Sequence, residues 1–140
     1  MACSRRDLCI WVSALAASPL MAAQKASLPS EVLPYEEMTV RKHDGNEFRP
    51  LLSGNVHDGG YLEAHQTRLA PGGMPHPPNH HLHEEMFLIR EGTLEVTVKG
   101  KSTRLGPGSV AFVESDDEHG VRNSGTVPTE YFVVAFGKDA

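Results

Sequence analysis

Cysteine is almost absent. The chain of 140 residues carries 2, Cys3 and Cys9, and nothing after Cys9 bears a thiol. Disulfides therefore cannot staple the body of the protein, and neither thiol catalysis nor cysteine metal ligation can be its chemistry. Aromatic residues are sparse at 6%, and basic residues are outnumbered, 13 Lys and Arg against 18 Asp and Glu, for a net charge of -5. No later segment concentrates positive charge, so no nucleic acid is expected as a partner. A glycine-rich phosphate loop, a Gly-x-Ser-x-Gly elbow and a serine triad are also missing, which leaves acyl and phosphoryl transfer without a nucleophile or a cradle. The length fits one small domain, and the composition is not that of a collagen-like, coiled-coil or wholly disordered chain.

Residues 1–23 have the layout of an export signal. Ser4-Arg5-Arg6-Asp7-Leu8 precedes a moderately apolar run from Leu8 to Ala17, then small residues and Pro19, with cleavage expected near Ala23. A run of about ten residues is too short to span a bilayer. The arginine pair resembles the twin-arginine signal that carries folded proteins across a bacterial inner membrane, so a periplasmic or secreted location is expected. Arg6-Asp7 ahead of Cys9 puts charge where a lipidation signal needs small apolar residues, and no stable membrane anchor is expected. Loss of this segment removes Trp11 and both cysteines and shifts the net charge to -6, while all 8 histidines remain.

Residues 24–46 read as an extended arm. Pro29 and Pro34 break any helix, and Tyr35 to Val40 has weak strand character, so the arm is expected to dock as an edge strand or stay partly loose. It also offers a means of pairing with a second copy, a possible homodimer. From residue 47 to 140 short β-prone runs alternate with Gly and Pro turns. Strands are expected over Tyr61 to Leu69, Met86 to Arg90, Thr93 to Val98, Ser102 to Leu105, Ser109 to Val113, Gly120 to Asn123 and Thr129 to Phe136. Several short strands at roughly 8 to 12 residue spacing indicate an all-β sandwich or barrel.

Histidine is what the chain has in excess. His76, His80, His81 and His83 fall close together and are followed at once by Glu84-Glu85. Imidazole and carboxylate together suit a borderline divalent metal. On an extended chain Asn79, His81, His83 and Glu85 would share one face. They cannot all reach one ion, because six strand residues cover roughly 20 Å whereas ligand atoms lie about 2 Å from a metal. His81 and Glu85 are the pair to keep, joined by the isolated His119 from a later strand.

These residues carry a resemblance to the cupin superfamily. In its first motif, G-x5-H-x-H-x(3,4)-E-x6-G, Gly73, His81, Glu85 and Gly92 fall in register, and in its second, G-x5-P-x-G-x2-H-x3-N, so do Gly108, His119 and Asn123. The similarity spans Tyr61 to Phe136. It implies a double-stranded antiparallel β-barrel of jelly-roll type, with His81, Glu85 and His119 holding a metal at the barrel mouth. Three positions depart from the pattern. Asn79 stands at the first histidine of motif one, with His80 displaced by one place, and Glu114 and Asp116 replace the proline and glycine of motif two. The fourth ligand is thus open between the Asn79 amide oxygen and His80, or absent, leaving a two-histidine, one-carboxylate triad with vacant positions of the kind non-haem iron enzymes use.

The other histidines are expected in supporting roles. His83 should hydrogen-bond around the ligands rather than bind metal, His76 should sit at the rim, and His65 should either line the pocket or be structural. His43 and His57 should be solvated, and Asp116-Asp117-Glu118 should form an exposed acidic turn. The resemblance covers oxygenases, isomerases, storage proteins and sensors, so two readings are carried forward. One is a metal-dependent oxidoreductase or dioxygenase acting on a small molecule, with iron or manganese favoured over zinc, nickel or copper. The other is a non-catalytic module that binds a small ligand or metal. If the arginine pair directs export of a folded precursor, replacing Arg5 and Arg6 together by lysine leaves the precursor in the cytoplasm, as cell fractionation will show; normal export of that variant removes the twin-arginine reading.

Overall fold

The computed structural model describes residues 27–137, so the export-signal expectation lies outside the described residues. Nine strands are found among the described residues: β1 (Arg41–His43), β2 (Asn46–Asn55), β3 (Tyr61–Leu69), β4 (Glu84–Glu91), β5 (Leu94–Val98), β6 (Lys101–Leu105), β7 (Val110–Val113), β8 (His119–Asn123) and β9 (Thr129–Gly137). All pair antiparallel, in a six-stranded sheet of order β1-β2-β3-β9-β4-β7 and a three-stranded sheet of order β6-β5-β8. This is an all-β jelly roll. Among the described residues no helix is long and apolar enough to cross a membrane.

Period-two alternation sets the two faces of each strand. In β5, Leu94 and Val96 are buried while Glu95 and Thr97 alternate with them on the outer side. In β9, Tyr131, Val133 and Ala135 point to the interior. Leu69, Phe87, Ile89, Tyr131 and Val133 of the large sheet meet Leu94, Val96 and Val121 of the small one to form a single core. Two hairpins turn in two residues each, Asp44-Gly45 between β1 and β2 and Lys99-Gly100 between β5 and β6. All four turn residues have positive φ, between 48° and 77°, the geometry whose twist matches that of the flanking strands.

The N-terminal segment differs from its expected form. Tyr35 to Val40 does not form a strand; Tyr35–Glu37 is a 3-10 turn, closed by Glu37 N–H to the Pro34 carbonyl at 3.0 Å and Met38 N–H to Tyr35 at 3.3 Å. The turn has a specific use. It places the Tyr35 ring 4.8 Å from the Arg49 guanidinium on the outer side of the large sheet, where Arg49, Gln66 and Glu130 are buried and Glu130 accepts hydrogen bonds from Gln66 and Arg90. An aromatic lid over a buried guanidinium replaces lost hydration with cation–π attraction. Further back, Leu28 N–H bonds to Asn55 at 2.7 Å, and β1 edges the large sheet.

Asn123 ties the loops that frame the site. Its side-chain amide donates to the carbonyls of Leu69 and Val127, its side-chain oxygen accepts from Gly125 N–H, and its backbone exchanges bonds with Gly72 and Gly73. Gly92 is required for two reasons: φ is +75°, and a Cβ there would lie 2.5 Å from the Pro128 carbonyl oxygen. Gly108 has φ +82° with open space around it. Gly108→Ala should therefore cost only the left-handed conformation, about 1–2 kcal/mol, and Gly92→Ala distinctly more; equal losses in denaturant unfolding would show that the clash is relieved cheaply.

Candidate metal centre

Three elements bring the site together. Glu85 is the second residue of β4 and faces the interior in register with Val113 and Ala135. His119 opens β8 and is 3% exposed. His81 belongs to the loop between β3 and β4, which is pinned to β8 by a backbone bridge: Asn79 N–H to His119 O at 3.0 Å and His119 N–H to Asn79 O at 2.9 Å. Asp116 N–H to His81 O, at 2.7 Å, closes the other side. Asp116 adopts φ +66° at the position where the resemblance has glycine, a conformation that aspartate tolerates better than most residues.

His81, Glu85 and His119 converge, each offering one ligand atom within 4.8 Å of the others. His119 Nε2 lies 3.0 Å from Glu85 Oε2, and His81 Nε2 lies 3.4 Å from Glu85 Oε1. Ligand atoms each about 2.0–2.2 Å from one ion stand about 3 Å apart in tetrahedral or octahedral geometry, which these distances match. The donor chemistry fits too. His119 Nδ1–H donates to the Asp117 carbonyl at 2.8 Å, which in the neutral ring leaves a lone pair on Nε2 facing a carboxylate oxygen. Two acceptors at 3.0 Å need a cation between them, a proton or a metal ion. His81 Nε2 is the ring nitrogen turned toward Glu85, while its buried Nδ1 has no hydrogen-bond partner within ordinary geometry.

Electrostatics agree with this geometry. The hydrogen bond to Glu85 raises the His119 pKa above the ordinary imidazole value, against the opposing effect of burial. Burial would raise the Glu85 carboxyl, but the hydrogen bond from His119 and the imidazoles of His81, His119 and His83 outweigh it and hold the carboxyl below its usual range. Burial lowers His81, which favours the neutral ring a metal requires.

The remaining expected residues are distributed as follows. His80 is turned outward: its Nδ1 bonds Asp116 Oδ1 at 2.8 Å and its side chain is 64% exposed. The one-residue shift that would present it inward is blocked by the Asn79–His119 bridge, which fixes His81 on the inner face and leaves His80 and Leu82 outside. Asn79 is exposed and reaches the site through its backbone. His83 stacks on His81, with ring centroids 3.7 Å apart and planes 10° apart, and its Nε2 lies 3.5 Å from Glu85 Oε1. His76 is at the rim, donating to the Pro77 carbonyl, and His57 is exposed. His43 is exposed, 3.2 Å from Asp44. Asp117 is not a free acid of an exposed turn, since Lys99 pairs with it at 2.6 Å.

Glu85 and His119 open onto a cavity of about 620 Å³ between the sheets, whose walls include Phe48, His65, Thr67, Phe87, Tyr131 and Val133. His65 thus lines the cavity, with its Nδ1–H donated to Glu63 at 3.0 Å. Tyr131 is 1% exposed, and burial pushes its hydroxyl well above the ordinary phenol value. Phe48, Thr67 and Tyr131 had no chemical signature in the sequence; only the inward phase of their strands could have marked them.

Fold and site define a small jelly-roll protein with a histidine–carboxylate triad at the edge of an internal cavity. The chain belongs to the cupins: the Cupin domain profile matches residues 65–135. Over 76 residues it is 34% identical to the mannose-1-phosphate guanylyltransferase of Klebsiella pneumoniae, covering 54% of this chain but 16% of that protein. Among solved structures it is similar to KdgF from Halomonas sp., with a TM-score of 0.66, 18% identity, and coverage of 80% of this chain and 96% of that one. It is also similar to a predicted oxalate decarboxylase from Thermotoga maritima, with a TM-score of 0.61, 20% identity, and coverage of 76% and 99%. At these identities the structural likeness speaks for the fold alone.

The raised His119 value sets a pH dependence with a definite sign. In metal-free protein its contribution to stability is complete below the ordinary value of 6.5 and is lost as pH rises through the raised value. Metal must displace that proton, so metal affinity should strengthen by up to about tenfold per pH unit across the same window. Calorimetric melting and metal titration at stepped pH check both slopes; His119→Gln should flatten them, and slopes that persist in that variant would place the proton elsewhere.

Proposed function

We propose that this chain is an exported, metal-dependent cupin enzyme acting on a small molecule, most specifically an oxidoreductase of the dioxygenase type, with His81, Glu85 and His119 holding one divalent first-row ion, iron or manganese. The observation that carries the reading is the pair of acceptors, His119 Nε2 and Glu85 Oε2, fixed 3.0 Å apart at the wall of an open cavity. A purely structural metal site is closed by four protein ligands, whereas a catalytic one keeps positions for substrate. Three convergent groups beside about 620 Å³ of space match the second arrangement.

A bound ion would supply Lewis-acid and one-electron chemistry. The chain's own residues have separate tasks. The Asp117 carbonyl fixes the His119 tautomer, His83 packs against His81, and Phe87, Val133 and Tyr131 form the apolar wall that keeps bulk water from the reacting end of a substrate. Export of a folded protein has a physical motive here. Copper and zinc outcompete iron and manganese at nitrogen and oxygen sites, so loading in the cytoplasm before crossing would protect a weaker-binding ion from exchange.

The test is elemental analysis of purified protein. The wild type should hold one first-row metal per chain, and His81→Ala, Glu85→Ala and His119→Ala should each lose it while His57→Ala keeps it. Ligand excess of a hundredfold over Kd should stabilise the wild type by about 2.7 kcal/mol, and the three variants not at all. Full occupancy in any two of the three variants, or no effect of added metal on the stability or spectra of the wild type, overturns the proposal. The dioxygenase step is tested separately, by oxygen uptake of iron-loaded protein with a panel of small organic acids.

A further inference from the structure

The cavity has a second chemically distinct end. Strand register aligns Arg41, Phe48, Thr67 and Tyr131 in one transverse row across β1, β2, β3 and β9. Direct partners in antiparallel strands project to the same face, so Arg41 shares the cavity-lining face with the buried Tyr131. The Phe48 ring supports this wall on two sides. The His65 ring lies against it with centroids 4.7 Å apart, and the Arg41 guanidinium lies 5.9 Å from its centroid.

Charge accounting isolates Arg41. Two permanently charged cations line the cavity, Arg41 and Lys42, and Lys42 is bound to Glu47 at 3.0 Å. Glu47 is also held by Arg49 at 2.8 Å, Asp44 stands 3.2 Å from His43, and Glu85 faces its imidazoles. Among the described residues no carboxylate lies within ion-pair distance of Arg41. An unpaired guanidinium beside an aromatic ring, at the rim of a partly enclosed space, is a receptor for a planar anion, which it can grip with two parallel N–H bonds.

We propose that Arg41 and the Phe48–His65 wall form a carboxylate-binding subsite, and that the substrate is a small organic acid whose carboxylate is held there while its other end lies at Glu85 and His119. The inference rests on the metal-dependent reading of the same cavity. It adds a length requirement. β1 and β4 are four strands apart along the large sheet at about 4.8 Å each, so the acid must be long enough to reach from the edge strand to Glu85 and His119. Binding at a remote anionic group would orient the reacting end.

The experiment titrates the full chain, metal-free and zinc-loaded, with butyrate, butyramide, butylamine, oxalate and adipate, followed by NMR shifts and calorimetry. Metal-free protein should prefer butyrate to butyramide, and Arg41→Gln should weaken butyrate at least tenfold while Lys42→Gln does not. Because Arg41 is exposed at the rim, its variants should keep the wild-type melting temperature. Arg41→Glu should reverse the preference toward butylamine. In zinc-loaded protein adipate should bind more tightly than butyrate and lose that gain in His119→Ala, and oxalate should be insensitive to Arg41→Gln. Butyrate binding unchanged in both Arg41 variants overturns the subsite even if metal binds stoichiometrically. Arg41-dependent butyrate binding in a chain that takes no metal retains the subsite and discards the metal reading.

Discussion

Glu85 carries the constraint on which the site depends. Its carboxylate is largely withdrawn from water, with one oxygen 3.0 Å from His119 Nε2 and the other 3.4 Å from His81 and 3.5 Å from His83. An ionised carboxylate in such surroundings costs several kcal/mol unless positive charge is held against it. Everything around it serves that need. Three imidazoles can supply a proton in its place, and a divalent ion can supply more charge than a proton does. The site is therefore a cluster of three imidazoles around one withdrawn carboxylate, a charge that a proton or a divalent ion between the ligand atoms can balance.

Holding that arrangement requires control of a loop, because His81 lies on no strand. The Asn79–His119 bridge and the bond from Asp116 N–H to His81 O secure the segment on both sides, so a loop rich in proline presents a side chain with the accuracy of a sheet. The same fixing decides the fate of the neighbours. With Asn79 paired, alternation sends His80 outward to Asp116 and brings His81 and His83 inward, where they stack. A pair of stacked imidazoles next to one carboxylate limits how either ring can rotate, which preserves the ligand direction of His81.

The sheets place this centre at the side of a cavity rather than in the core. Apolar residues from both sheets fill the far part of the interior, and the near part stays open, lined by Glu85 and His119 and by the row from Arg41 to Tyr131. The N-terminal strand contributes Arg41, the one arginine of that lining among the described residues. On the outer face the 3-10 turn at Tyr35 covers Arg49 and so joins the N-terminal segment to the sheet.

Much of this could be read from the sequence, for reasons that are local. Alternation and turn residues located the strand from Tyr61 to Leu69 to the residue and most later strands within one or two, because inward and outward positions differ in chemistry. His81, Glu85 and His119 stood out by residue type and motif register, and the structure brings these three together. The Asp44-Gly45 turn is also legible there, but the strands it joins, β1 and β2, are not, because neither has a clear alternation of apolar and polar residues. Tyr35 to Val40 misled because weak β propensity is overridden by the contact of one ring with a buried guanidinium. The choice between Asn79 and His80 could not be made locally, since it depends on a backbone bridge to a residue forty positions away. The sequence by itself determined the strand pattern and the types of ligand, since alternation and side-chain chemistry are properties of neighbouring residues; only the tertiary structure decided which histidines face inward and that Arg41 shares a cavity with Glu85, since those depend on register between strands distant in the chain.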